Sequence, residues 1–466
     1  MAAPPRVRLP ALLQGAAFAI DTIGFLERSR NRYGDVFEVH LPGMGRFVYI
    51  ADPALIKQVF AADRDIGLAG EARKPFVEDM LGAQSLLTTD GDQWERQRKL
   101  LGPPFHGELI ENYRDQIHAI AVADIVRWPR GMPFPLRPRM QAITLEVILR
   151  LIFGIEDATR LERLRSLLPR LTEDGAWLFW LPRNMRWEWF PPLKRLLAKR
   201  DEVDEILFDE ITNRRADPDV GERTDILSLL VAGGDADDQE LRDELMTLLA
   251  AGHETTATAL AWAFERLARH PHVIDRIRAE EGEEYLDAVV KETLRIRPVI
   301  SDVIRKLREP MKLGEWEIPI DRHPTPAIAL VQRDEAIYDD RLAFKPERFL
   351  NPPPDAEVSN EARGGTPRGG RQKAFSGWIP FGGGRRRCVG SHMALLEMKV
   401  VIRAVLDRVD LETPSERGER ARIHHLTLVP SRGALLTVRP RRDAPSGLPP
   451  REVRDELPEP VAVAGD

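Results

Sequence analysis

Cysteine is almost missing from this chain of 466 residues: Cys388 stands alone against 37 prolines and 33 glycines. A lone cysteine excludes an internal disulfide, so nothing marks an oxidising compartment and the cytoplasm is the expected location. Long apolar runs are missing too. The most apolar early stretch, Ala11 to Leu26, is interrupted by Gln14 and Asp21, short of the roughly 20 apolar residues that a membrane span needs. It also lacks the layout of a secretory signal, so no integral membrane span and no targeting segment are expected. Nor is there a basic block: 68 basic and 74 acidic residues leave a formal charge of −6, which excludes a nucleic-acid footprint.

What is present is the balance of a soluble folded protein, 43% hydrophobic and 30% charged, long enough to enclose a cofactor. Residues 1–20 read as an N-terminal extension. Asp21 to Tyr33 predicts an amphipathic helix, and Asp35 to Ile50 two short strands broken at Pro42-Gly43. Helical periodicity then dominates, at Asp92 to Leu101, Glu108 to Trp128, Gln141 to Phe153, Leu193 to Asn213, Asp237 to His270, Glu283 to Ile296 and Met393 to Val405. Strand-like pieces lie at Asp302 to Leu307, Met311 to Ile318 and Ala327 to Leu330. The expected class is mainly α with small β-sheets. Residues 351 to 374 and the proline-bearing tail from Arg441 read as irregular, the tail as disordered.

Cys388 sits in Trp-Ile-Pro-Phe-Gly-Gly-Gly-Arg-Arg-Arg-Cys-Val-Gly, residues 378 to 390, just ahead of a helix. Backbone N–H groups and the dipole at a helix entrance favour a thiolate. Glycines let the backbone approach a flat ligand, and Arg386 offers a fork of donors for a carboxylate. A lone cysteine is most often inert and buried. Here, however, Phe381, Gly384, Arg386, Cys388 and Gly390 fall at the spacing FxxGxRxCxG, which resembles the haem-binding loop of the cytochrome P450 family. Five fixed positions arise by chance in such a chain with a probability on the order of 10⁻⁴.

Further motifs of that family occur in its order. Glu292-Thr293-Leu294-Arg295 resembles its ExxR helix and Pro346-Glu347-Arg348-Phe349 its PERF segment; the resemblance implies a buried ion triad of Glu292, Arg295 and Arg348. Ala251-Gly252-His253-Glu254-Thr255-Thr256 resembles the signature of its long central helix. Gly and Thr are poor choices inside a helix, and a local opening there, beside bound dioxygen, is expected. The resemblance implies that Thr255 hydrogen-bonds the oxygen ligand and that Glu254 belongs to a proton relay, with His253 a spacer. Trp94 and Arg98, one helical turn apart, resemble the family's propionate clamp, and Arg305 its second propionate arginine. With Arg386 that makes three cations for two carboxylates.

The fold so implied places haem b between the long central helix and the helix after the cysteine loop, within a catalytic domain of residues 21–440. The implied function is a monooxygenase that inserts one oxygen atom from O2 into an apolar substrate, with Cys388 as the iron's thiolate ligand. The aromatic segment Trp177-Leu178-Phe179-Trp180 and Trp187-Glu188-Trp189-Phe190 would roof the substrate channel, with residues 68 to 88 as the other wall. No flavin or nicotinamide fingerprint comes after the cysteine loop, so electrons are expected from a ferredoxin or flavodoxin with its reductase, docking on Arg385, Arg386 and Arg387. A peroxygenase or isomerase needs no such partner, but Glu254-Thr255 argues against it. A haem sensor or carrier would lack the relay, and an α-helical binding protein would owe its cysteine loop to chance.

Overall fold

Strand alternation organises the first core. In the computed structural model Val36–Leu41 and Gly45–Ile50 form an antiparallel hairpin, with Val36 opposite Ile50 and Leu41 opposite Gly45. Successive strand residues face opposite sides. Phe37, Val39, Leu41, Phe47 and Tyr49 therefore enter one apolar cluster, and Val36, Val48 and Ile50 another. Both faces are covered.

The structure describes residues 2–105, 107–155, 157–175, 190–350 and 377–441. The irregular stretch 351 to 374, the tail beyond Arg441 and the aromatic segment up to Trp189 lie outside the described residues. Eight helices carry or support the candidate site residues: α1 (Ala11–Ile20), α2 (Thr22–Tyr33), α3 (Pro53–Ala61), α4 (Gly91–Leu101), α5 (Arg137–Val147), α6 (Asp238–Leu267), α7 (Glu284–Ile296) and α8 (Ser391–Leu406). The chain forms two compact units, the first from Met1–Ala72, His270–Ser391 and Glu419–Ser431, the second from the remainder.

In the first unit, α1 and α2 cover one sheet face with Phe18, Phe25 and Leu26, while α3 covers the other with Ile56, Val59 and Phe60. The segment read as an extension joins this unit: the Val7 N–H donates to the Glu38 carbonyl at 3.0 Å. The third strand is His323–Pro326, parallel to Gly45–Ile50. Ala327 to Leu330, expected as a strand, instead leads into a short helix, Ile328–Val331. Short apolar runs do not distinguish a buried helix from a strand, and Pro324 and Pro326 hide the true strand. They are tolerated because only their carbonyls are needed there, accepting from the Arg305 and Val303 N–H groups.

The extended segment 301–305 repeats the alternation. Val303 packs with the α3 face and Ile304 with the α1 face, and Asp302, on the Ile304 side, meets Tyr49. Asp302 Oδ2 accepts from the Ser301 hydroxyl at 2.7 Å and from the Tyr49 hydroxyl at 3.5 Å.

In the second unit α5 packs along α6, a helix about 45 Å long by its thirty residues. The side chain of Asp237 caps it, accepting from the Glu240 N–H at 2.8 Å. A five-residue π-helical turn, Ile148–Ile152, continues α5. A small antiparallel sheet joins Pro133–Pro135, Leu435–Pro440 and Val409–Glu412.

Burial raises the Asp302 pKa from 3.8 to about 6 against the opposing hydroxyl bonds. A raised carboxyl favours the folded state fully below the unfolded value, and that contribution is lost as pH rises through about 6. Asp302→Asn should therefore flatten the stability profile between pH 4 and 7 and raise the denaturation midpoint at neutral pH relative to wild type; unchanged urea midpoints across that range would contradict this.

Candidate functional site

The cysteine loop is shaped by close approach to α3. A Cβ on Gly383 would lie 2.5 Å from the Phe60 ring, and one on Gly384 would lie 2.8 Å from the Phe60 carbonyl oxygen. Gly384 also has φ of 64° and Gly382 of 71°, a region only glycine enters freely. The loop closes on itself, the Cys388 N–H donating to the Phe381 carbonyl at 3.0 Å, and the Phe381 ring meets Trp378 edge-on at 6.0 Å. Cys388 precedes α8 by three residues and is an exposed residue. Arg386 is half-buried in the same loop, and Arg385 is exposed.

The ion triad is assembled within the first unit. Glu292 and Arg295, one helical turn apart on α7, are both fully buried. Arg295 Nε donates to Glu292 Oε2 at 2.6 Å and Nη2 to Oε1 at 2.8 Å. Its remaining donors reach the carbonyls of Gln332 and Arg341, each at 2.9 Å, and of Ala343 at 3.2 Å. Arg348 Nε completes the triad at 3.4 Å from Glu292 Oε1, which also accepts from the Lys345 N–H at 2.9 Å. Two side chains then tie this cluster to the cysteine loop. Gln332 accepts from the Ile379 N–H at 3.2 Å, and Trp378 Nε1 donates to the Lys291 carbonyl at 3.1 Å.

Arg305 is also in this unit, fully buried, but sequence reasoning missed its partner. Its Nε and Nη2 both reach the carboxylate of Asp63, the latter at 3.1 Å, and Nη1 donates to the Ile304 carbonyl at 3.0 Å. A guanidinium has five N–H groups, so two remain for another acceptor. Asp63 belongs to no motif, and no local signal could have found it.

Trp94, Arg98, Glu254 and Thr255 belong to the second unit. Trp94 is buried on α4 and Arg98 half-buried one turn on. Helix α6 runs without interruption through Gly252, so the expected opening is not found. Close packing accounts for the glycine instead: a Cβ there would lie 3.2 Å from Ile148 Cδ1. Thr255 does turn its hydroxyl back, donating to the Ala251 carbonyl.

Glu254 is held by two residues of α5. Arg137 pairs with Oε1, and Gln141 Nε2 donates to Oε2 at 2.8 Å. Burial alone would push the Glu254 carboxyl up, but the Arg137 charge, the neighbouring His253 and these hydrogen bonds together hold it below its ordinary range. His253 is buried against α5, Nε2 at 3.1 Å from the Gln141 carbonyl, and burial lowers its pKa. Arg137 and Gln141 were not legible as site residues either, since they meet Glu254 across 117 and 113 positions.

The donor set suits an iron already held in a macrocycle. No group of three or more His, Cys, Asp or Glu side chains among the described residues could chelate a bare metal ion. Cys388 could supply one sulfur ligand, and Arg386 and the two remaining N–H groups of Arg305 suit the carboxylates of a planar cofactor.

The chain belongs to the cytochrome P450 family, matching it over residues 4–438. It is 42% identical to cytochrome P450 135B1 of Mycobacterium tuberculosis over 463 residues, covering 95% of this chain and 93% of that protein. Cytochrome P450 138 of the same organism is 37% identical, with 94% and 96% covered. Among solved structures, retinoic acid-bound cyanobacterial CYP120A1 aligns with a TM-score of 0.78 at 22% identity, over 95% of this chain and all of that one. The haem domain of cytochrome P450DA aligns at 0.79 with 21% identity, over 95% and 98%. Fold and family thus agree with the expectation: a haem-thiolate monooxygenase class of protein with an iron haem cofactor. Among the described residues no helix is long and apolar enough to cross a membrane.

Replacing Arg295 with Ala removes the donor to Oε2 of the buried Glu292 and the donors to three carbonyls. A loss of about 3–5 kcal/mol is expected, read as a lower urea midpoint and little haem-loaded protein; normal haem content would remove the triad from this role.

Proposed function

We propose that Cys388 would hold the iron of haem b through its thiolate and that the protein inserts one atom of O2 into an apolar small molecule. The observation that supports this most is an exposed cysteine on a loop whose Gly383 and Gly384 are required by Phe60, with arginines beside it. When bound, the haem supplies the one-electron and oxygen chemistry that no side chain has. Arg305 and Arg386 would hold and orient its carboxylates. Glu292, Arg295 and Arg348 hold the loop and are positioning residues.

Two residues of α6 handle protons. The Thr255 hydroxyl hydrogen is taken by Ala251, so Oγ1 presents its lone pairs and accepts a hydrogen bond. Glu254 is ionised while paired with Arg137, and it takes up and passes a proton at a carboxylate oxygen when that pair opens. Electrons come from a ferredoxin or flavodoxin with its reductase, attracted to the exposed Arg385 and to Arg387.

The reduced protein under CO should show the red-shifted Soret band of thiolate ligation, and Cys388→Ala should lose it; a band that survives the substitution would rule out Cys388 as the ligand. The relay is tested separately, by oxygen consumption with a surrogate ferredoxin and reductase. Glu254→Gln should slow turnover on the order of 10²-fold. Because Arg137 holds Glu254 low, Arg137→Gln should move the acid limb of the rate profile to higher pH, and an unmoved limb would exclude the pair from proton transfer.

A further inference from the structure

We propose that Asp63 is a positioning residue that sets the reduction potential of the haem site by neutralising Arg305. The inference rests on the haem reading above and concerns a residue outside every motif.

The turn after α3 presents this carboxylate. The Ala62 carbonyl gathers the N–H groups of Asp65, Ile66 and Gly67 at 3.3, 3.1 and 2.9 Å, so the chain reverses sharply around Asp63. Gly67–Leu68 then pairs antiparallel with Lys306–Leu307, Gly67 opposite Leu307. That short ladder keeps the turn beside Arg305, and a Cβ on Gly67 would lie 3.6 Å from the Arg305 Cβ and Cγ. The Arg305 guanidinium also lies over the Phe60 ring, its carbon 5.6 Å from the ring centre. Phe60 is the ring that shapes the cysteine loop, so the end of α3 serves loop and arginine together.

The Asp63 and Arg305 side chains are each 2% exposed and meet side-on, Nε with Oδ1 and Nη2 with Oδ2. Nη1 goes to an uncharged acceptor, the Ile304 carbonyl at 3.0 Å. Asp63 is thus the one acid that pairs with Arg305 among the described residues. Buried ion pairs add little net stability over neutral side chains of the same shape, so the main consequence of this pair is electrostatic. One-electron reduction of the site by the ferredoxin or flavodoxin proposed above adds one negative charge there. A lone guanidinium would favour that step, and a guanidinium already matched by a carboxylate favours it far less. Asp63 therefore keeps the potential low while leaving N–H groups of Arg305 to hold a cofactor carboxylate.

The test is a spectroelectrochemical titration of the holoenzyme, run beside its reduced CO spectrum. Asp63→Asn should raise the equilibrium constant for one-electron reduction on the order of tenfold, about 59 mV to higher potential. Arg305→Gln should move it the other way. Asp63→Asn/Arg305→Gln removes both charges with little change of shape and should return it to within about twofold of wild type. A merely structural pair would change haem content or the urea midpoint without this reversal of sign. Both single variants at the wild-type potential would overturn the proposal. So would single variants that hold no haem where the double variant does, or three variants that all fail to fold, since the pair would then be structural only. A wild-type protein without the thiolate CO band would overturn the haem reading and this inference with it, whereas a normal band with unmoved potentials overturns this inference alone.

Discussion

The buried ion pair of Glu292 and Arg295 is the constraint on which the cysteine loop depends. Neither charge is tolerable alone in the interior, so each must be saturated. Saturating Arg295 draws the carbonyls of Gln332, Arg341 and Ala343 onto one guanidinium, and saturating Glu292 draws in Lys345 and Arg348. The Gln332 side chain, placed by this packing, takes the Ile379 N–H and donates to the Leu294 carbonyl at 3.1 Å. From Ile379 the chain needs only nine residues to reach Cys388, and Phe60 dictates how they turn. Satisfying one ion pair thus aims a thiol.

The second unit solves a different electrostatic problem. Glu254 lies on a helix buried along most of its length, where a carboxylate stays charged only if its lost hydration is replaced. Arg137 and Gln141, both on α5, supply what burial removes. Gly252 serves the same alliance, because its missing side chain lets Ile148 approach α6. A glycine that looks like a weakness in the helix is a packing contact. His253 completes the fastening, bonded through its ring to the Gln141 carbonyl while its own carbonyl accepts from the Thr144 hydroxyl at 3.1 Å.

Legibility tracked locality. Helices whose apolar positions recur every three or four residues were readable, including α2 and α7, and so was the hairpin of residues 36 to 50. Motifs packed within a few positions, such as Glu292 and Arg295 or Phe381 and Cys388, were readable as units because one helical turn or one tight loop brings them together. The strand His323–Pro326 was not, since its prolines signal against pairing, while its partners, Gly45–Ile50 and the N–H groups of Val303 and Arg305, lie at a distance along the chain. Nor was Asp63 readable as the partner of Arg305, 242 positions away.

By itself, then, the sequence determined the family, the cofactor class and the residue types at the cysteine loop, the ion triad and the Glu254-Thr255 step of α6, because each depends on short spacings that local geometry enforces. Tertiary structure alone decided which charges those residues meet: Asp63 for Arg305, Arg137 for Glu254, Phe60 for the glycines before Cys388. The physical reason is that charge pairing and close packing act through space, and a sequence records only distance along the chain.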